Sequence, residues 1–125
     1  MNYFERRRIL KKTSALDLVP VRIRGHEAEE DKIVVLVPKY ESRIYHIFSS
    51  RLKELHFRIR LDQLGSATWE AMDGNRSVRD ISDHLKEHPV LKQHDLSELD
   101  DRLSKYMTMM YERRFITFRQ IMESD

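Results

Sequence analysis

Cysteine is absent from the 125 residues, which excludes a disulfide framework, a thiolate nucleophile and thiolate metal ligation. A reducing compartment suits such a chain, and cytoplasm is the simplest inference. No apolar run approaches the roughly 18 residues of a membrane-spanning helix. The amino terminus also lacks the apolar stretch of a signal peptide, so neither membrane insertion nor export is expected. Glycine is scarce: Gly25, Gly65 and Gly74 stand isolated, which leaves no glycine-rich phosphate loop, and no serine sits in a local nucleophile signature. An excess of one charge sign is missing too. The 23 basic residues nearly cancel 21 acidic ones, for a net charge of +2, so there is no general drive towards nucleic acid or anionic lipid and any basic patch must be local.

What is present is charge of both signs. Charged residues make up 35% of the chain and hydrophobic ones 40%, which predicts a modest core under a heavily charged surface, and the length allows one domain. Residues 1–16 read as a basic arm, with Arg6, Arg7, Arg8, Lys11 and Lys12 opposed only by Glu5. A solvated terminus is the plain reading of such an arm, and contact with an acidic partner or a phosphate backbone is the functional one. Tyr3, Phe4, Ile9 and Leu10 are available to pin part of it down.

Residues 17–125 then read as a single domain. Val19, Val21 and Ile23 alternate with Pro20, Arg22 and Arg24. That period of two predicts a strand, and the proline restricts it to an edge. Gly25 to Asp31 reads as a polar acidic turn. Ile33 to Val37 is a continuous β-branched run stopped by Pro38, the pattern of a buried or central strand. The section from Tyr40 to Leu55 suits a short helix or an ordered loop. Phe57, Ile59 and Leu61 alternate with His56, Arg58 and Arg60, predicting a third strand with one apolar and one basic face.

The period changes after Asp62. Asp62 is placed to cap a helix running to Ala71 or Met72, Trp69 would anchor it in the core, and Asp73-Gly74 would end it. Ser77 and Asp80 form a capping-box pattern ahead of an apolar stripe of Val78, Ile81 and Leu85, with Pro89 as terminator. Asp95 to Glu98 repeats the capping logic. Leu96, Leu99, Leu103, Tyr106, Met107 and Met110 then mark the apolar face of a long third helix. Phe115 to Phe118 reads as a last short strand or turn.

The run from Arg60 to Ile81 resembles the PqqD family. Leu61, Asp62, Gly65, Trp69, Asp73, Gly74, Ser77, Val78, Ile81 and Leu85 match its pattern, in about a quarter of the chain. Most of these residues set caps and packing, so they speak for fold before binding. The resemblance implies an α+β winged helix-turn-helix in which a three-stranded antiparallel sheet precedes a three-helix bundle. It implies a non-enzymatic adaptor that binds the leader of a ribosomally made precursor peptide and presents it to a radical SAM enzyme, as in synthesis of pyrroloquinoline quinone or a related modified peptide. The leader would add as a strand beside the third strand. His56, Arg58 and Arg60 on that strand, with Arg102, Tyr106, Met109 and Arg113 on the third helix, are the residues so implied. No cofactor is expected, because the chemistry would belong to the partner. Dimerisation through the sheet is left open.

Two departures from the family pattern stand out. Relative to that pattern residues 39–55 are an insertion next to the strand that would take the peptide, and Arg114 stands where the family tends to place glycine. The competing class is a DNA-binding winged helix. Against it, Glu98, Asp100, Asp101 and Glu112 interleave with Arg102, Lys105, Arg113 and Arg114 on the helix that would read a groove. His84 and His88 are four residues apart, but the glutamate that a zinc-hydrolase helix carries after its first histidine is missing, and His94 is the sole nearby third ligand.

Overall fold

The computed structural model describes residues 3–12, 14–38, 56–88, 91 and 98–123. In chain order these form α1 (Tyr3–Lys12), a 3-10 turn (Ala15–Asp17), β1 (Pro20–Arg22), β2 (Gly25–Glu29), β3 (Lys32–Pro38) and β4 (His56–Arg60). They continue with α2 (Gln63–Ala71), α3 (Val78–Lys86), α4 (Leu99–Glu112), β5 (Ile116–Phe118) and α5 (Arg119–Glu123). The protein is mixed α+β, with a small antiparallel sheet and several helices. It divides into two units, Arg24–Ser66 and the combination of Met1–Ile23 with Ala67–Asp125.

The Arg24–Ser66 unit is built on an antiparallel sheet in the order β2-β3-β4. The β-branched run at its centre explains why β3 takes the middle place, with Ile33, Val34 and Val35 all buried. Leu61 N–H donates to the Ile33 carbonyl at 2.9 Å. Ile33 N–H in turn donates to Ser66 Oγ at 2.9 Å, and Ser66 Oγ donates to the Leu61 carbonyl at 3.3 Å. One buried hydroxyl thus satisfies two backbone groups where the ladder ends. Asp62 caps the following helix as its position predicts, its Oδ1 accepting from Gly65 N–H at 2.7 Å.

Two expectations about this sheet are corrected. The supposed turn from Gly25 to Asp31 is mostly strand β2, and only Glu30 and Asp31 lie between β2 and β3. Glu30 takes φ 59°, the left-handed conformation that a two-residue hairpin loop calls for. Residues 25–28 are exposed, so β2 carries no apolar alternation for periodicity to find. The first expected strand does exist at Pro20–Arg22, but it pairs antiparallel with β5 and takes no part in the three-stranded sheet. Both strands of that two-stranded ribbon are edges, which accommodates Pro20.

In the other unit the helices pack around Trp69, Met72, Val78, Ile81, Leu85, Leu99, Leu103, Met107 and Met110, all at most 2% exposed. Helix α3 opens on the full capping box. Asp80 N–H donates to Ser77 Oγ and Ser77 N–H to Asp80 Oδ2, each at 3.1 Å. Between α2 and α3 the chain turns on Asp73, whose Oδ1 accepts from the backbone of Asn75 at 2.8 Å and Arg76 at 2.9 Å, while Gly74 takes φ 84°. Those two bonds, the Asn75 one foremost, hold the Asp73 carboxyl below its ordinary range.

Helix α4 begins at Leu99. Its N-cap is Glu98 at φ 61°, and that side chain makes no capping bond; residues 92–97, with the expected cap at Asp95 and Leu96 of the apolar stripe, lie outside the described residues. So do the insertion at 39–55 and Pro89. At its other end α4 closes in a Schellman turn. Phe115 N–H reaches the Met110 carbonyl at 2.9 Å, and Arg114 N–H reaches that of Tyr111 at 3.0 Å. Arg114 holds the left-handed position of that turn at φ 63°, so the departure from glycine there leaves the turn formed. The expected arm contains helix α1, which touches the unanticipated α5. Ile9 and Leu10 are half-buried, whereas Tyr3 and Phe4 are exposed.

Candidate functional site

The register of β4 decides where its backbone groups point. Opposed residues in an antiparallel pair alternate between bonding each other and turning their N–H and C=O away. Leu61 bonds Ile33. With Ile59 opposite Val35 and Phe57 opposite Val37, the same alternation makes those the bonded pairs. The backbone N–H and C=O of His56, Arg58 and Arg60 therefore face the outer edge. Pro38 lies opposite His56 in a non-bonded pair, so its missing N–H costs the ladder nothing. Among the described residues no strand pairs with this outer edge, and it offers a template for an added strand.

The side chains of Arg58 and Arg60 lie on one face of the sheet with Glu27 and Glu29, since Glu27, Val34 and Arg60 align across the three strands. Arg58 donates to Glu27 Oε2 at 2.8 Å and to Glu29 Oε2 at 3.2 Å, and Arg60 donates to Glu29 Oε1. These bonds span the central strand. On the same face Val34 is 2% exposed, although its neighbours there are polar. The Arg58 hydrogen bond, then the charge of Arg60, hold the Glu29 carboxyl below its ordinary range, and Glu27 foremost raises Arg58. The strand's two cations thus already have anions. Sequence reasoning missed Glu27 and Glu29 because it placed them in a turn. The available signal was their spacing of two, which mirrors that of Arg58 and Arg60.

The second set of expected residues lies on the helical unit. Arg102, Tyr106 and Met109 of α4, with Arg113 at its C-terminal cap, are separated by four, three and four residues, so they form one line along the helix. Arg102 and Arg113 are exposed, and Tyr106 and Met109 are half-buried. The fully buried stripe of Leu99, Leu103, Met107 and Met110 runs beside this line. Tyr106, expected on that stripe, sits at its border. Elsewhere on α4, Lys105 pairs with Asp101 at 3.2 Å, and Ser82 donates to Asp100. Acid and base thus alternate on the helix that a groove-reading protein would keep basic.

Helix α3 ends at Lys86, so His88 lies beyond it and does not share a helical face with His84. His94 falls outside the described residues. Among the described residues no three His, Cys, Asp or Glu groups are placed to hold a metal ion, and no helix is long and apolar enough to cross a membrane. Comparison with known families, with curated proteins and with solved structures finds no match to this chain.

Proposed function

We propose that the chain is a non-catalytic peptide-binding adaptor. In this reading it holds the leader of a ribosomally made precursor peptide as an added strand on β4 and presents it to a radical SAM modifying enzyme. The observation that carries the reading is the outer edge of β4, where the N–H and C=O groups of Arg58 and Arg60 point away from the sheet. The order of sheet, α2, α3 and α4, with the capped junctions at Asp62, Asp73-Gly74 and Ser77, supports assigning a winged helix-turn-helix of the PqqD kind. The Schellman turn at Arg114 preserves the geometry for which that family tends to use glycine.

The ion pairs alter how selectivity would work. Glu27 and Glu29 occupy the guanidinium groups assigned to leader carboxylates, so an acidic guest must displace them. Register on the edge would then be set by backbone bonds and by what the guest's apolar side chains meet.

The first step of the test is to look for a radical SAM gene and a short reading frame beside this gene; the peptide so encoded is then synthesised as the probe. Amide hydrogen exchange should slow at Arg58 and Arg60 when the leader is added, while Phe57 and Ile59, already bonded to β3, change little. Arg58→Pro, which removes an outward N–H, should abolish binding where Arg58→Ala only weakens it. Protection confined to other elements, or equal binding by the two variants, would sink the strand-addition reading.

A further inference from the structure

Helix α1 presents two unlike faces. Ile9 and Leu10 are half-buried, whereas Phe4, Arg7, Arg8 and Lys11 are exposed. The latter four follow the spacing i, i+3, i+4 and i+7, so they share one face. Phe4 is 74% exposed and Tyr3 beside it 64%, their rings meeting edge-to-face at 5.6 Å. Arg7 donates to the Tyr3 hydroxyl at 3.2 Å, which steadies the guanidinium beside the ring and leaves its other N–H donors open. Among the described residues neither Arg8 nor Lys11 forms an ion pair. This is a local cationic face in a chain of net charge +2.

We propose that this face binds single-stranded nucleic acid, with Arg7, Arg8 and Lys11 on phosphates and Phe4 stacking on a base. The guanidinium fork matches phosphate oxygens, and an exposed ring among cations is the combination that holds single strands without reading sequence. A bilayer is the poorer fit. Interfacial helices set an apolar face apart from a charged one, but here the aliphatic Ile9 and Leu10 are drawn partly into the protein and the outward ring lies among cations. A duplex is a poorer fit still, because its bases are already stacked and give Phe4 nothing to cover. The stripe from Phe4 to Lys11 spans about 10 Å, so it accommodates only a few nucleotides, and binding is weak and salt-sensitive. The assignment is independent of the peptide-binding reading, since it concerns a different helix and a different ligand.

Fluorescence anisotropy of a labelled oligothymidylate with the full chain tests it. The logarithm of the binding constant should fall against that of salt with a slope of about −2 for three phosphate contacts. The double variant Arg8→Glu, Lys11→Glu should weaken binding at least about tenfold, and Phe4→Ala about fivefold. Lys86→Glu, on exposed α3 surface, serves as the charge control and should stay within about twofold. Retained circular dichroism in each variant keeps folding out of the comparison. Equal affinity for polyglutamate would overturn the proposal in favour of an acidic protein segment, and tighter binding to phosphatidylserine vesicles would overturn it in favour of a lipid surface. Tighter binding to duplex DNA, no effect of Phe4→Ala, or no binding at all would equally refute it.

Discussion

Strand β4 and helix α1 are both basic surfaces, and in the linear chain they look alike. Both carry clustered arginine with an aromatic neighbour. In three dimensions they differ in what their charge can still do. Arg58 and Arg60 lie across the sheet from Glu27 and Glu29 and are bonded to them, whereas Arg8 and Lys11 have no acidic partner among the described residues. A basic patch is therefore a statement about tertiary pairing. The β4 arginines serve the sheet first, whereas Arg8 and Lys11 keep their charge for a ligand.

The sharpest way to break this contrast is through what each surface buries. Val34 shares the sheet face of the ion pairs and is 2% exposed, whereas Phe4 stands 74% exposed. Val34→Ala should cost about 2 kcal/mol, and Phe4→Ala should leave stability within about 0.5 kcal/mol, both read by denaturant titration. Comparable losses would mean that the two surfaces are built alike. A smaller effect comes from charge reversal. Arg58→Glu with Arg60→Glu sets four carboxylates on one sheet face and should lower the Tm, and adding Glu27→Arg with Glu29→Arg should restore most of the loss. The same reversal at Arg7 and Arg8 should leave the Tm unchanged.

Smallest of all is the response to acid. The Glu29 carboxyl is depressed by Arg58 and Arg60, so its contribution is present above the ordinary glutamate value. It fades as pH falls below about 4.3 and through the depressed value. Because the pair is exposed, the change is slight. Glu29→Gln should flatten that part of the Tm–pH curve, and an identical curve in the variant would remove Glu29 from the account.

Helices α2 and α3 were legible because their signals are local. Asp62, Asp73-Gly74 and the Ser77–Asp80 box act within four residues of where they stand, and the structure places their bonds as the spacing predicts. Strands β3 and β4 were legible from β-branched and alternating runs. What escaped was long-range. The bonds from β4 to β2 join residues 29 to 31 positions apart, and β1 pairs with β5 from Pro20 to Phe118. Strand β2 has no apolar rhythm at all, since it is an edge held by its ladder and by charge, so polarity alone suggested a turn. Of the candidate site, the α4 residues came from the resemblance, and their alignment along one helical line is seen only in the structure. Residue spacing could not show that the β4 arginines were already engaged.

Trp69 has a use beyond packing. It is the sole tryptophan, fully buried, with the Arg22 guanidinium 5.8 Å from its ring centre. Its emission therefore follows the surroundings of one core alone, while the three-stranded sheet is dark in that channel and visible only to circular dichroism or exchange. Nature has left a built-in optical label on the helical unit, so a melt recorded by both signals distinguishes loss of the sheet from loss of the helices without attaching a dye.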